Sequence, residues 1–157
     1  MASTIELNLG EAQGVLERAA RQLTDTTQLM QQFGEYTVAS TNARFDSKTA
    51  PDGTAWAANS LLTISRKGHA DILRGRSGAL RLSIYYSASR NLLIWGSPRD
   101  YAGVMQRGAA KGAFGQTSRG QPIPFGTIPA RPFIGLSELD RQMLGEIATK
   151  WLKDAFE

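Results

Sequence analysis

The stretch from residue 108 to Pro132 restricts this chain more than any other. It carries Gly108, Gly112, Gly115, Gly120 and Gly126 together with Pro122, Pro124 and Pro129, and it has no apolar periodicity. Such a segment suits neither a helix interior nor a central strand, because proline lacks an amide hydrogen and glycine loses the most conformational freedom on folding. Long irregular connections are uncommon in compact domains unless they serve a function. The segment therefore reads as an extended arm or hairpin that contacts a partner. Its charges are Lys111, Arg119 and Arg131, with no acidic residue among them.

The remaining residues must supply the core. A chain of 157 residues suits one domain and is short for two, so residues 1–157 are read as one domain with 108–132 as its arm. A hydrophobic fraction of 41% and a charged fraction of 20% lie near the averages of globular proteins. No apolar run is long enough to span a membrane, and residues 1–10 lack the basic-then-apolar order of a secretory signal. With no cysteine, disulfides and thiolate metal sites are excluded, and the single histidine, His69, furnishes no metal cage alone.

Helical spacing appears at both ends. Ala12, Val15, Leu16, Ala19 and Leu23 recur at steps of three and four, which lays an apolar stripe along a helix over residues 9–23. Thr24 or Asp25 can cap a second helix running to about Phe45, although Gly34, Thr37, Val38 and Thr41 lower its intrinsic propensity. At the other end, Ser137 and Asp140 resemble a capping box. Leu139, Met143, Leu144, Ile147, Trp151, Leu152 and Ala155 form one face of the helix that follows, which is expected to cover a sheet.

Pro51-Asp52-Gly53 is a turn: proline presets φ, aspartate bonds the backbone ahead and glycine accepts positive φ. Residues 57–68 read as loop with a short helical turn. Leu80, Leu82, Ile84 and Tyr86 alternate with polar residues, predicting a strand over 79–86, and residues 91–96 its antiparallel partner after a connection at 87–90. A short helix fits residues 99–107. The fold class is α+β: N-terminal helices, an antiparallel sheet with a long arm or hairpin, and a C-terminal helix packed on the sheet.

Chemistry is harder to find. His69 lies in a polar stretch and reads as an exposed loop residue, no Gly-x-Ser-x-Gly elbow is present, and Glu138 and Asp140 suit a helix first turn without any catalytic role. Residues 74–78, Arg-Gly-Arg-Ser-Gly, lack the Gly-Lys-Ser/Thr ending of a phosphate loop. Trp56, Trp95 and Trp151 are expected in the core or an interface. The reading is that the chain is not an enzyme and takes no cofactor.

Charge is distributed unevenly. Residues 1–60 hold four basic and seven acidic residues, a net of −3, whereas residues 61–132 hold eleven basic and two acidic, a net of +9. Such a split favours a polyanion or an acidic face on a neighbouring copy.

Four stretches in order resemble the phage virion-morphogenesis family, which includes tail-completion proteins of Mu-like and P2-like phages. They are Arg44-Phe45 with Pro51, Asp52, Gly53 and Trp56; Ile72-Leu73 leading to Ser77-Gly78-Ala79-Leu80; Tyr101-Ala102 with Met105-Gln106-Arg107-Gly108; and residues 128–137, Ile-Pro-Ala-Arg131-Pro132-Phe133-Ile-Gly-Leu-Ser. Met105 and Arg107 stand where the family pattern leads one to expect histidine and an aromatic.

The motifs also have physical readings. Arg44 suits a helix C-terminus, Phe45 and Trp56 clamp the turn, and Pro129 and Pro132 hold an extended strut from which Arg131 projects. The resemblance implies a virion protein of the neck, assembled in the host cytoplasm as a ring, a hexamer, that completes the tail. Its partners would be its own copies, the head connector or adaptor, and tail terminator or tube proteins, with incidental contact to genomic DNA and none to membrane. A tail terminator or head-assembly factor is the nearest alternative; a DNA-binding module is a more distant one. Arg74, Arg76, Arg107, Lys111 and Arg119 are the candidate interface or lumen residues, and charge reversal at Arg119 or Arg131 is expected to spare the fold.

Overall fold

The computed structural model describes residues 10–75 and 77–156. Its elements are α1 (Gly10–Thr24), α2 (Thr27–Ser47), α3 (Leu61–Lys67), α4 (Ala79–Leu82), β1 (Tyr85–Ser89), β2 (Leu92–Gly96), α5 (Ala102–Arg107) and α6 (Glu138–Ala155). The α+β expectation holds, with helices at both ends and a two-stranded antiparallel sheet between them.

The fold is built on α2. Three of the residues that weaken it by propensity lie on its buried line: Gly34, Thr37 and Thr41 recur with Arg44 at helical spacing and all four are buried. Small side chains there let the sheet approach closely. A Cβ built on Gly34 would lie 2.1 Å from the ring of Tyr86, so this glycine admits the aromatic side chain of β1. Lys48 ends the helix in a left-handed conformation, its N–H donating to the Arg44 carbonyl.

The sheet packs against α2, and α6 packs against α2 and α1. This corrects the expectation that the C-terminal helix lies on the sheet. Among the described residues the sheet has two strands, and α2 covers its one buried face. Pairing runs Tyr85 to Gly96, Ser87 to Ile94 and Ser89 to Leu92; Tyr85, Leu92 and Ile94 are exposed, in keeping with a sheet buried on one side.

The strand boundary is also corrected. Ala79–Leu82 is a helical turn, the strand begins at Tyr85, and the hairpin turns at Arg90-Asn91 rather than at 87–90. Leu80 and Ile84, four residues apart, are 3% and 9% exposed, whereas Leu82, which strict alternation would bury, is 80% exposed. Gly78 starts that turn at φ 63°. The loop expected over 57–68 contains a seven-residue helix, α3, capped by Ser60, which accepts from the Thr63 N–H, and ended by Gly68.

In α1 only part of the apolar stripe is covered: Ala19 is buried, while Leu16 and Leu23 are exposed. The capping box of α6 is present, and Trp151 and Ala155 are buried, although Leu139 and Leu152 of the same expected face are exposed.

The main core lies at the C-terminal end of α2. Phe45, Ala50, Trp56, Leu80, Ile84, Ala102 and Phe133 form it, with the Phe45 ring edge-on to Trp56 at 5.5 Å and tilted against Phe133 at 5.6 Å. The Pro51-Asp52-Gly53 turn folds as expected: the Gly53 N–H donates to Ala50 (2.9 Å), and Asp52 accepts from the Thr54 N–H (2.9 Å).

Replacing Gly34 with alanine forces its Cβ into Tyr86. We expect a net loss of about 1–3 kcal/mol, the usual range for overpacking, despite alanine's better helix propensity. Urea denaturation of Gly34→Ala, alone and with Tyr86→Ala, measures it: the loss should shrink in the double variant, and a Gly34→Ala protein as stable as the parent would refute the close-approach account.

Candidate functional site

Residues 131–135 run between the arm and α6 without belonging to any strand and bend at Ile134 and Gly135. A strandless segment packed into a core leaves its backbone groups to be satisfied by something other than a sheet, and here side chains from the first and third motifs do it. Trp56 Nε1 donates to the Pro132 carbonyl (2.8 Å). Gln106 Oε1 accepts from the N–H groups of Phe133 (2.9 Å) and Ile134 (3.0 Å), and its Nε2 donates to the Ile134 carbonyl (2.8 Å). Arg44 Nη1 donates to the carbonyls of Phe133 (3.1 Å) and Gly135 (2.8 Å). The Arg131 N–H donates to Met105 (2.8 Å). The first and third sequence motifs thus converge on the backbone of the fourth.

Arg44 is therefore more than a cation at a helix end. It is buried, and its Nη2 pairs with Asp140. Asp140 also accepts from Ser40 (2.5 Å), Tyr36 (3.0 Å) and both the amide and hydroxyl of Ser137 (2.7 Å each). Burial works to raise the Asp140 carboxyl, but hydrogen bonds from Ser40, Ser137 and Tyr36 outweigh it and hold the group below its ordinary value. One carboxylate thus caps α6 and neutralises the buried guanidinium of α2. Sequence reasoning singled out Arg44 and read Asp140 only as a cap; it missed Gln106, Ser40 and Tyr36 as partners.

Arg131 is also corrected. It does not project from the strut: it is 7% exposed, and it donates to the carbonyls of Ala57 (2.8 Å) and Ala58 (3.0 Å) and to Asn59 Oδ1 (3.4 Å). Charge reversal there would disrupt the fold, contrary to expectation. Gly108 sits at φ 74° where a Cβ would meet the Ile128 carbonyl at 2.6 Å, which explains a glycine at the arm's base. Tyr101 is exposed at the start of α5.

The arm is a hairpin. Bridges join Ala109 to Ile128 and Gln116 to Pro122. Between them Phe114 N–H donates to Ile123 and Ile123 N–H to Gly115, both at 2.7 Å, and Thr117 and Gly120 close the tip. Phe114 and Phe125 are 55% and 66% exposed, with Ile123 also exposed. Arg119 at the tip and Lys111 near the base are exposed.

Some of the charges are paired within the chain without closing the split between the two segments. Arg81 pairs with Asp46, Lys48 with Asp71, and Arg74 with Asp71 (3.1 Å); His69, half-buried rather than fully exposed, lies 3.6 Å from Asp71. Arg66, Arg99, Arg107, Lys111 and Arg119 make no side-chain hydrogen bond or ion pair among the described residues. Arg76 lies outside the described residues.

Fold and site together define a small α+β protein whose motif residues tether one strandless backbone segment and which holds out a hairpin arm. The chain belongs to the phage virion morphogenesis family, whose model matches residues 7–153. It is a protein of virion morphogenesis. No curated protein and no solved structure matches it. No helix among the described residues is long and apolar enough to cross a membrane.

Removing one partner of a buried ion pair leaves the other charge uncompensated, at about 3–5 kcal/mol. Asp140→Asn and Arg44→Met should each lose stability of that order in urea denaturation. The pH dependence has a defined sign. Because the folded Asp140 carboxyl is held below its ordinary value, its contribution is complete above the usual carboxylate range and is lost as pH falls through it. The stability difference between the parent and Asp140→Asn should therefore be flat near neutrality and shrink in acid; a difference that grows in acid would contradict the assignment.

Proposed function

We propose that this protein is a structural component of the phage neck, one that completes the tail and joins it to the head connector as a ring of identical subunits, six in number. It acts by fitting between neighbours rather than by turnover. The observation that carries the reading is the hairpin arm, whose backbone is paired internally while Phe114, Ile123 and Phe125 face outward and Arg119 caps the tip without a partner. Apolar side chains clustered on an exposed hairpin mark a contact surface.

A closed ring requires two different faces of each subunit to meet. The arm supplies one such face, and its base is anchored beside Met105 and Phe133, at the C-terminal end of α2. Leu16 and Leu23 of α1, the helix that precedes α2 in the chain, are exposed and offer a second. The unpaired cations Arg66, Arg99, Arg107, Lys111 and Arg119 give the assembled ring a positive surface suited to acidic neighbours and to passing DNA.

Purified virions and a phage lacking this protein test the reading. The protein should be found in finished particles at the head–tail junction, and its loss should yield filled heads and separate tails. Absence from finished particles would overturn the structural role, and complete tails without heads in the wild type's place would shift it to head assembly. In the arm, Phe114→Ser with Phe125→Ser, and separately Arg119→Glu, should leave the melting temperature within a few degrees of the parent while sharply lowering the yield of joined particles; normal yield from both would exclude the arm.

A further inference from the structure

A cavity of about 640 Å³ opens between α3, the segment preceding α4, α5 and the base of the arm, within the size range of small-ligand sites. One part of its wall is apolar, formed by Leu73, Leu80, Met105 and Ile128. Lys67, Arg74 and Arg131 make up its charged part, and no carboxylate lines it among the described residues.

Arg131 is the unusual member. It is more than nine-tenths buried, and the three oxygens that accept from its Nε and Nη2 are all neutral. Its Nη1 has no acceptor among the described residues. Among the described residues, Arg44, the other buried arginine, has Asp140 as its counter-ion, and Arg131 has none. A buried guanidinium compensated only by carbonyl dipoles is an unfavourable arrangement unless an anion completes it. Lys67 adds to the positive field, with its Nζ donating to the Asp71 carbonyl (2.8 Å) and its charge disfavoured first by burial and further by Arg131, against the pull of Asp71. Arg74 stands on the rim, exposed and paired with Asp71.

We propose that this cavity receives an acidic side chain, flanked by an apolar one, from a peptide segment of a neighbouring polypeptide. Arg131 and Lys67 face the carboxylate, and Leu73, Leu80, Met105 and Ile128 cover the hydrocarbon beside it. The apolar wall separates this ligand from a nucleic-acid backbone, which presents a continuous line of charge and is gripped by exposed cations along a groove. The proposal does not depend on the neck reading, since a protein located elsewhere in the particle would present the same cavity.

The test uses the ¹⁵N-labelled full chain, titrated with N-acetyl-Leu-Glu-Leu-amide, with the glutamine counterpart and with a short oligothymidylate. The glutamate peptide should shift the amides of Asn59, Ser77 and Thr127 and the Arg131 Nε–H. The glutamine peptide should bind about tenfold more weakly, the worth of one charge-assisted hydrogen bond. Arg131→Met endangers the fold through the carbonyls it would leave unpaired, so Lys67→Met and Arg74→Met carry the mutational arm; each should weaken the glutamate peptide several-fold while retaining the parent's circular dichroism. Equal response to both peptides, shifts outside the cavity, or displacement of the peptide by the oligonucleotide at lower concentration would each overturn the proposal.

Discussion

A segment packed against the core without strand partners is the constraint on which this structure depends. Residues 131–135 pass through the core between the arm and α6, and their peptide groups would be unsatisfied there if nothing replaced the ladder of a sheet. Arg44, Trp56 and Gln106 replace it. Each comes from a different part of the chain, α2, the loop after the Pro51 turn and α5, so satisfying this one backbone also fixes where those parts sit. Phe133, 1% exposed at the centre of the segment, then closes the aromatic cluster with Phe45 and Trp56. Polar satisfaction and apolar packing are therefore enforced by the same residues, and loss of one is felt by both.

The buried Arg44–Asp140 pair extends the same logic to α6. Salt bridges in protein interiors are weak evidence for stability when compared with apolar replacements, because desolvation offsets the attraction. Here the pair also has a positional role. Asp140 accepts from Ser137 to start α6 and from Ser40, Tyr36 and Arg44 to hold that start against α2. A hydrophobic pair of equal volume could fill the space but could not cap the helix or satisfy the carbonyls of Phe133 and Gly135. Direction and register of α6 follow from polar groups, and Trp151 and Ala155 then bury its far end.

Much of the architecture was legible in the sequence because it rests on local chemistry. The turn at Pro51-Asp52-Gly53, the capping box at Ser137 and Asp140, the hairpin nature of the arm and both terminal helices follow from residues close together in the chain. The start of β1 was not legible. Leu80, Leu82 and Ile84 satisfy a period of two, while Leu80 with Ile84 also fits a helical turn, and only the burial of Ile84 with the exposure of Leu82 decides between them. The propensity argument against α2 failed for a related reason: Gly34 admits Tyr86 of β1, Thr37 and Thr41 are buried on the same line, and tertiary contact outweighs their intrinsic preference. Among the site residues, Arg44 and Arg131 were recognisable by motif but not by destination. An arginine's sequence neighbours do not tell whether its fork meets solvent or a buried carbonyl, and nothing near Gln106 marks it as a bridge between two peptide N–H groups and a carbonyl.

The destination of each arginine changes how the charge asymmetry is to be understood. Taken by segments, −3 against +9 describes two opposed halves. Taken by contacts, Asp46 meets Arg81 across that division and offsets one charge of each half, whereas Lys48 with Asp71 pairs the minority charge of each half and restores the difference, so the opposition persists outside one subunit's own pairs. Exposed pairs of this kind contribute little to stability, but they remove charges from the set available to neighbours. Apart from Arg18 and Arg21 on α1 and Arg141 and Lys153 on α6, five cations are left over: Lys111 and Arg119 on the arm, Arg107 just before it, Arg66 on α3 and Arg99 before α5. Four of these five lie between residues 99 and 119 or at the arm's own tip, beside the outward-facing Phe114 and Phe125. In the proposed ring, electrostatic attraction of the arm to a neighbour would set its approach and orientation, while the aromatic side chains would supply the apolar area to hold it. A segment too rich in glycine and proline to build a core is thereby suited to join a surface completed by another chain.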